Sequence, residues 1–201
     1  MQKFNRALIS LISVFLVTTV INDSQASFHH NFPEIIINST KTSLLAHSTA
    51  ELYQQLEKFL SQQKLKKADR KTYEIMLKLA KREDKSLDID SIENFPCSEL
   101  RSIDKLWVKY SDGKYGFSVQ KEIYQNMIDN DALPEVWKTF SKEVGWWREN
   151  IGWVDYQDLF AGMSPRRKGI FPRWGDRDYG VGFGGASLIS YFAQRLLSCE
   201  I

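Results

Sequence analysis

Between Leu52 and Val144 the apolar residues recur three and four positions apart, and turn signals interrupt them at short intervals. That spacing keeps one face of an α-helix apolar, and no stretch shows the alternation of a half-buried strand. Leu52, Leu56, Phe59 and Leu60 follow a capping-box signature at Ser48 to Glu51 and mark a first helix. Tyr73, Met76, Leu77 and Ala80 mark a second, with Asp69 as its predicted N-cap and a short basic link before it. Pro96 suits the first turn of a third helix carrying Leu100, Ile103, Trp107 and Tyr110. Ser118 is the predicted N-cap of a fourth, with Val119, Ile123 and Met127 aligned. Pro134 opens a fifth with Trp137, Phe140 and Val144, and Gly145 stops it. A last helix is predicted from about Ser187, with Leu188, Phe192, Leu196 and Cys199 on one face. The fold class expected is all-α, a compact bundle of about six helices of ordinary length.

The chain divides unevenly. Lys3 and Arg6 precede an apolar run from Ala7 to Ile21, shorter than the roughly twenty residues a membrane span requires. Residues 1–26 read as a secretory signal with Ser24-Gln25-Ala26 as the cleavage site, or as an uncleaved signal anchor. The expected location is therefore exported or membrane-anchored. Residues 27–47 read as a linker and 48–201 as the folded domain.

Composition excludes several function classes. Net charge is +2, which argues against a dedicated nucleic-acid protein. The cluster Lys64, Lys66, Lys67, Arg70 and Lys71 reads as a solvated face. His29, His30 and His47 all precede the domain, so it holds no histidine for a catalytic triad, a zinc site or a haem ligand. Cys97 and Cys199 lack metal-ligand spacing and read as two reduced, buried thiols, with one bridge as the alternative for an exported domain. Residues 84–94 are acidic and loop-like, without the central glycine of a calcium loop. Gly180 to Gly185 matches the letters of a dinucleotide fingerprint but lacks a preceding strand and room for a second one. Asp155 and Asp158 read as exposed turn residues rather than an acid–base pair. No enzyme is expected.

What remains is aromatic. The sequence carries 13% Phe, Trp and Tyr, with six tryptophans. Trp107, Tyr115 and Phe117 gather around the turn Ser111-Asp112-Gly113, between the third and fourth helices. Trp146, Trp153 and Phe160 follow Gly145 in an irregular stretch. Residues 161–185 then form a long loop, expected to be mobile and partly ordered. Between Arg166 and Arg177 it sets five cations against one acid, with Met163, Ile170, Phe171 and Trp174 interleaved or adjacent. Apolar walls beside a basic rim suit a flat apolar ligand with carboxylate arms.

The residues Asn94-Phe95-Pro96-Cys97, Leu106-Trp107, Tyr115 to Gln120, Val144-Gly145-Trp146 and Gly169 to Pro172 together resemble the core domain of the genomes-uncoupled-four family, over roughly residues 50–200. The resemblance implies a helical domain shaped like a cupped hand. It implies a non-enzymatic protein of a photosynthetic organism that requires no cofactor and takes protoporphyrin IX or magnesium-protoporphyrin IX as ligand. It further implies regulation of magnesium chelatase in chlorophyll biosynthesis, with the large chelatase subunit as partner, at the cytoplasmic or stromal face of the thylakoid membrane. On this reading Trp107, Phe117, Val119, Trp146, Trp153, Phe160 and Met163 form apolar walls. Arg166, Arg167 and Arg173 pair with propionates, and residues 161–174 form a lid. The alternative is an exported or anchored helical interaction module that has lost the pigment.

Overall fold

The computed structural model describes residues 49–130, 136–161, 167–174 and 183–201. Helix α1 covers residues 49–61 and buries Leu52, Leu56 and Leu60, the stripe the periodicity predicts. Ser48, and with it half of the predicted capping box, lies outside the described residues, as do residues 1–47 with their predicted signal and linker. Among the described residues no helix is long and apolar enough to cross a membrane.

Helix α2 spans Leu65–Leu79, and Lys64 stands at its N-cap without a side-chain bond. Asp69 is therefore not the predicted cap. It lies inside α2, fully buried, because two groups of the core need its carboxylate (below). The acidic stretch read as a loop contains a short helix, α3, Ile89–Glu93. Asp88 and Ser91 form a reciprocal capping box there: Ser91 N donates to Asp88 Oδ1 at 3.0 Å, and Asp88 N donates to Ser91 Oγ at 2.9 Å. One helical turn carries no readable period, so only the cap could have revealed it.

Helix α4, Cys97–Tyr110, starts after Pro96 and buries Leu100, Ile103 and Trp107. Helix α5 spans Phe117–Asn130. Ser118 is not its N-cap but sits in its first turn, where its backbone N and its hydroxyl both donate to Asp104 of α4, at 2.8 and 3.0 Å. The cap thus comes from another helix. Burial raises the Asp104 carboxyl pKa, and the bonds from Ser118 work against that shift.

Helix α6, Val136–Val144, ends at Gly145, whose φ of +87° closes the helix by letting Trp146 N donate to Ser141 O at 2.7 Å. A two-stranded antiparallel hairpin follows, β1 Trp147–Arg148 and β2 Gly152–Trp153, with Trp147 opposite Trp153. Then come α7, Tyr156–Ala161, an extended strap over residues 167–174, and α8, Phe183–Ser198, which packs against α3, α5 and α6. The fold is all-α apart from the hairpin, as expected. The last helix starts four residues before the predicted Ser187 because the sequence reading gave Gly184 and Gly185 to the loop.

Cys97 and Cys199 are not reduced thiols: they form a disulfide with Cα atoms 5.3 Å apart. Ends of helices separated by 102 residues in sequence are brought together by packing, which spacing along the chain cannot reveal.

Candidate functional site

The aromatic corner at 106–120 is closed. Trp107 and Phe117 are fully buried, and Val119 and Tyr115 nearly so. The strap fills the space that a ligand would need. Phe171 stacks on Trp107 (ring centroids 5.8 Å apart) and meets Tyr115 edge-on at 5.5 Å. Gly116 N donates to Phe171 O at 3.0 Å, and Gly169 N donates to Lys114 O at 2.9 Å. Gln120, 2% exposed, donates through Nε2 to both Gly169 O and Pro172 O, at 2.9 and 2.8 Å. Phe117 packs edge-on against Phe192 of α8 at 5.2 Å. Trp107, Phe117 and Val119 are therefore core residues rather than accessible walls, since a preformed apolar surface at the centre of a small domain is first claimed by its own chain.

Two further predicted site residues are also interior. Trp146 is buried and donates its indole N–H to Ile170 O at 2.9 Å. Arg173, predicted at the rim, is 2% exposed. Its backbone N donates to Asp69 Oδ1 at 2.6 Å, and its guanidinium donates to Val154 O at 3.2 Å. Tyr156 Oη donates to the other Asp69 oxygen at 2.8 Å. Burial depresses the Arg173 pKa, while the Asp69 charge opposes that shift. The described end of the predicted lid, residues 169–174, is thus a buried strap held by α2 and α5. Met163 and Arg166 lie outside the described residues, as does Gly180-Val181-Gly182 of the glycine run.

The remaining candidates gather elsewhere, at the hairpin. Trp153 is half-buried and joins Trp137 and Trp147 in a triad: Trp137 stacks on Trp153 at 5.8 Å, and Trp147 meets both edge-on, at 5.9 and 5.2 Å. Beside Trp147 opens a small recess of about 100 Å³. Trp147, Leu159 and Ile170 give it apolar surface, and Lys142, Arg148 and Arg167 give it cations. Arg167 reaches it because Gly145 has no Cβ: its side chain lies across that glycine and donates to Lys142 O at 3.3 Å. Arg148 is exposed and pairs with no acid among the described residues, whereas Lys142 pairs with Glu149 and holds that carboxyl below its ordinary pKa. Trp147 Nε1 is buried and has no acceptor among the described residues. Phe160 is half-buried on another side of the strap, stacked on Phe171 at 5.2 Å with Lys66 over its outer face.

Of the predicted residues the structure brings Trp153 and Arg167 to the hairpin, beside Trp137, Trp147, Arg148 and Lys142, which the sequence does not single out as site residues. Trp137 was absorbed into a helix face. A hairpin signal was present, with a tryptophan on either side of Arg148-Glu149-Asn150-Ile151-Gly152, and it would have placed Trp147 opposite Trp153.

A second recess, about 390 Å³, lies where α2 ends and is lined by Asp88, Asp90, Ser91 and Arg82 among others. Its carboxylates disfavour an anionic ligand, and it offers no open aromatic face. Among the described residues no three His, Cys, Asp or Glu side chains cluster to hold a metal ion.

A model of the GUN4-like family matches residues 46–177. The chain is 37% identical to the ycf53 protein of Porphyra purpurea over 123 residues, 60% of this chain and 49% of that one. It is 24% identical over 117 residues to the chloroplastic tetrapyrrole-binding protein of Arabidopsis thaliana, 49% of this chain and 44% of that one. The chain thus spans about half the length of the curated relatives it matches. The ligand-free structure of Arabidopsis thaliana GUN4 shares the fold, with a TM-score of 0.52 at 20% identity over 71% of this chain and 92% of that one.

Proposed function

This chain belongs to the GUN4-like family, and on that premise we propose that it binds a tetrapyrrole at the recess beside the hairpin. The observation that carries the reading is the union of an indole wall with Lys142, Arg148 and Arg167 around one opening. A tetrapyrrole is a flat apolar ring with carboxylate arms. Trp147, with Trp153 behind it, supplies a face for the ring, and the two arginines supply forked donors for the arms. The lining contains no imidazole, thiol or carboxylate, so affinity would rest on the ring, lying over the recess, and on its arms, with no side chain there to distinguish a central metal. Protoporphyrin IX and magnesium-protoporphyrin IX are the ligands we propose, and a non-enzymatic regulator or carrier acting on magnesium chelatase is the role; family membership supports both.

Titration of the full chain with each porphyrin, followed by the Soret band and by tryptophan quenching, tests the binding. A saturable red shift with quenching of the Trp137–Trp147–Trp153 emission is expected at micromolar ligand. No shift and no quenching for either porphyrin overturns the reading. A chelatase assay with and without the chain tests the role separately, and an unchanged rate removes it.

A further inference from the structure

The disulfide links two places that matter for the recess. Cys97 is the first residue of α4, and Cys199 follows the last residue of α8. The bond therefore ties the free end of α8 to the start of α4. Arg195 of α8 adds two donors to Phe95 O, at 2.6 and 3.0 Å, and Arg101 of α4 donates to Cys199 O.

From α8 a run of packed rings leads to the recess. Phe192 stacks on Trp174 at the end of the strap, with centroids 4.1 Å apart and planes inclined by 29°. Trp174 meets Trp146 edge-on at 6.3 Å. Trp146 holds Ile170 O through its indole N–H, and Ile170 lines the recess. α8 is thus the platform on which the strap rests, and the strap forms one side of the opening.

The two sulfurs differ in access. Cys97 is half-buried, whereas Cys199 is 3% exposed. Cys97 also stands at a helix N-terminus, where a thiolate is favoured.

We propose that the Cys97–Cys199 disulfide is a dithiol-reducible switch that sets the affinity of the recess through α8 and the strap; its effect on ligand rests on the tetrapyrrole reading above. A low-potential dithiol attacks the Cys97 sulfur as its thiolate. The protein S–S bond breaks, a mixed disulfide forms at Cys97, and Cys199 leaves as a thiolate that takes up a proton. The second thiol of the reductant, after losing its proton, closes on the first and expels the Cys97 thiolate. Two electrons pass to the protein and the dithiol becomes a cyclic disulfide. Freed at its end, α8 holds Trp174 less firmly, and the strap loses its backing.

The test uses the full chain, oxidised or treated with dithiothreitol under native conditions, together with the Cys97→Ser/Cys199→Ser variant. Thiol labelling with mass detection should find both cysteines blocked before reduction and both free after it. Amide hydrogen exchange over residues 168–174 should quicken in the reduced protein and in the variant. Protoporphyrin IX should bind both of these about ten-fold more weakly than the oxidised chain. By linkage, saturating porphyrin should raise the dithiol concentration needed for reduction by the same factor. Free thiols before any reductant, a bond that opens only on unfolding, or strap exchange equal in the two redox states each overturn the switch. Equal porphyrin affinity in the two states overturns it as well. If neither form binds porphyrin, the functional reading fails by itself, and strap exchange alone decides the switch.

Discussion

Two regions of this protein are built from the same residue types and have opposite fates. The corner at 106–120 and the hairpin at 147–153 each gather indole and aromatic rings at spacings of 5–6.5 Å. In the corner most polar ends are answered, Gln120 Oε1 and the Nε of Arg173 in the strap being the exceptions among the described residues. Trp107 Nε1 donates to Thr72 Oγ1 at 2.9 Å, and Tyr115 N donates to Ser111 Oγ at 2.9 Å. At the hairpin the three rings remain half-buried, Trp147 Nε1 lacks an acceptor among the described residues, Ile151 is 60% exposed and Arg148 is unpaired among the described residues. Aromatic density does not separate core from binding surface. Exposure does: the strap seals the corner's rings, whereas the hairpin's three rings are half-buried and Arg148 and Ile151 beside them are exposed.

The comparison can be broken first at the corner. Phe171→Ala removes the ring that stacks on both Trp107 and Phe160, and should cost about 4 kcal/mol of stability. Denaturant unfolding should show a matching fall in midpoint, and a midpoint like that of the parent would mean the corner is not core. Next is Asp69→Ala, which strands Tyr156 Oη and the Arg173 backbone N in the interior. A loss of about 3 kcal/mol is expected. Asp69→Asn should recover part of it by keeping one acceptor.

At the hairpin the expected effects move from stability to affinity. Arg148→Ala with Arg167→Ala should change stability by less than about 1 kcal/mol, since both side chains are exposed. Porphyrin affinity should fall by about ten-fold, as expected for lost charge-assisted bonds. Equal affinity would remove the arginines from the site. Trp147→Phe is the smallest change. It deletes a donor that has no acceptor among the described residues, so unfolding should shift by about 0.5 kcal/mol or less. Affinity for a porphyrin should weaken a few-fold, about 0.5–1 kcal/mol, through the smaller face offered to the ring. Equal affinity would remove Trp147 from the site.

Much of the fold was legible because helices declare themselves locally. Leu52-Leu56-Leu60 and Leu100-Ile103-Trp107 are buried stripes set by a 3.6-residue period, and Gly145 is a stop set by its left-handed φ. The candidate site was half legible. Trp153 and Arg167 stood out by residue type, whereas Trp147 and Arg148 needed the hairpin register to join them. Glycine and cations predict a mobile, partly ordered lid over 161–174, and its described end, 169–174, is buried. What holds it is Gln120, Asp69 and Trp146, three residues 24 to 104 positions away that accept from or donate to its backbone.

The sequence by itself determined the helical class, the core-facing stripes and the family to which this domain belongs, because periodicity and short motifs are properties of neighbouring residues. Only the tertiary structure decided that Asp69 serves the core instead of a helix end, that Arg173 is interior and Arg148 open, and that Cys97 meets Cys199. Each of those facts depends on which distant atoms compete for the same partner, and that competition is settled only when the helices pack.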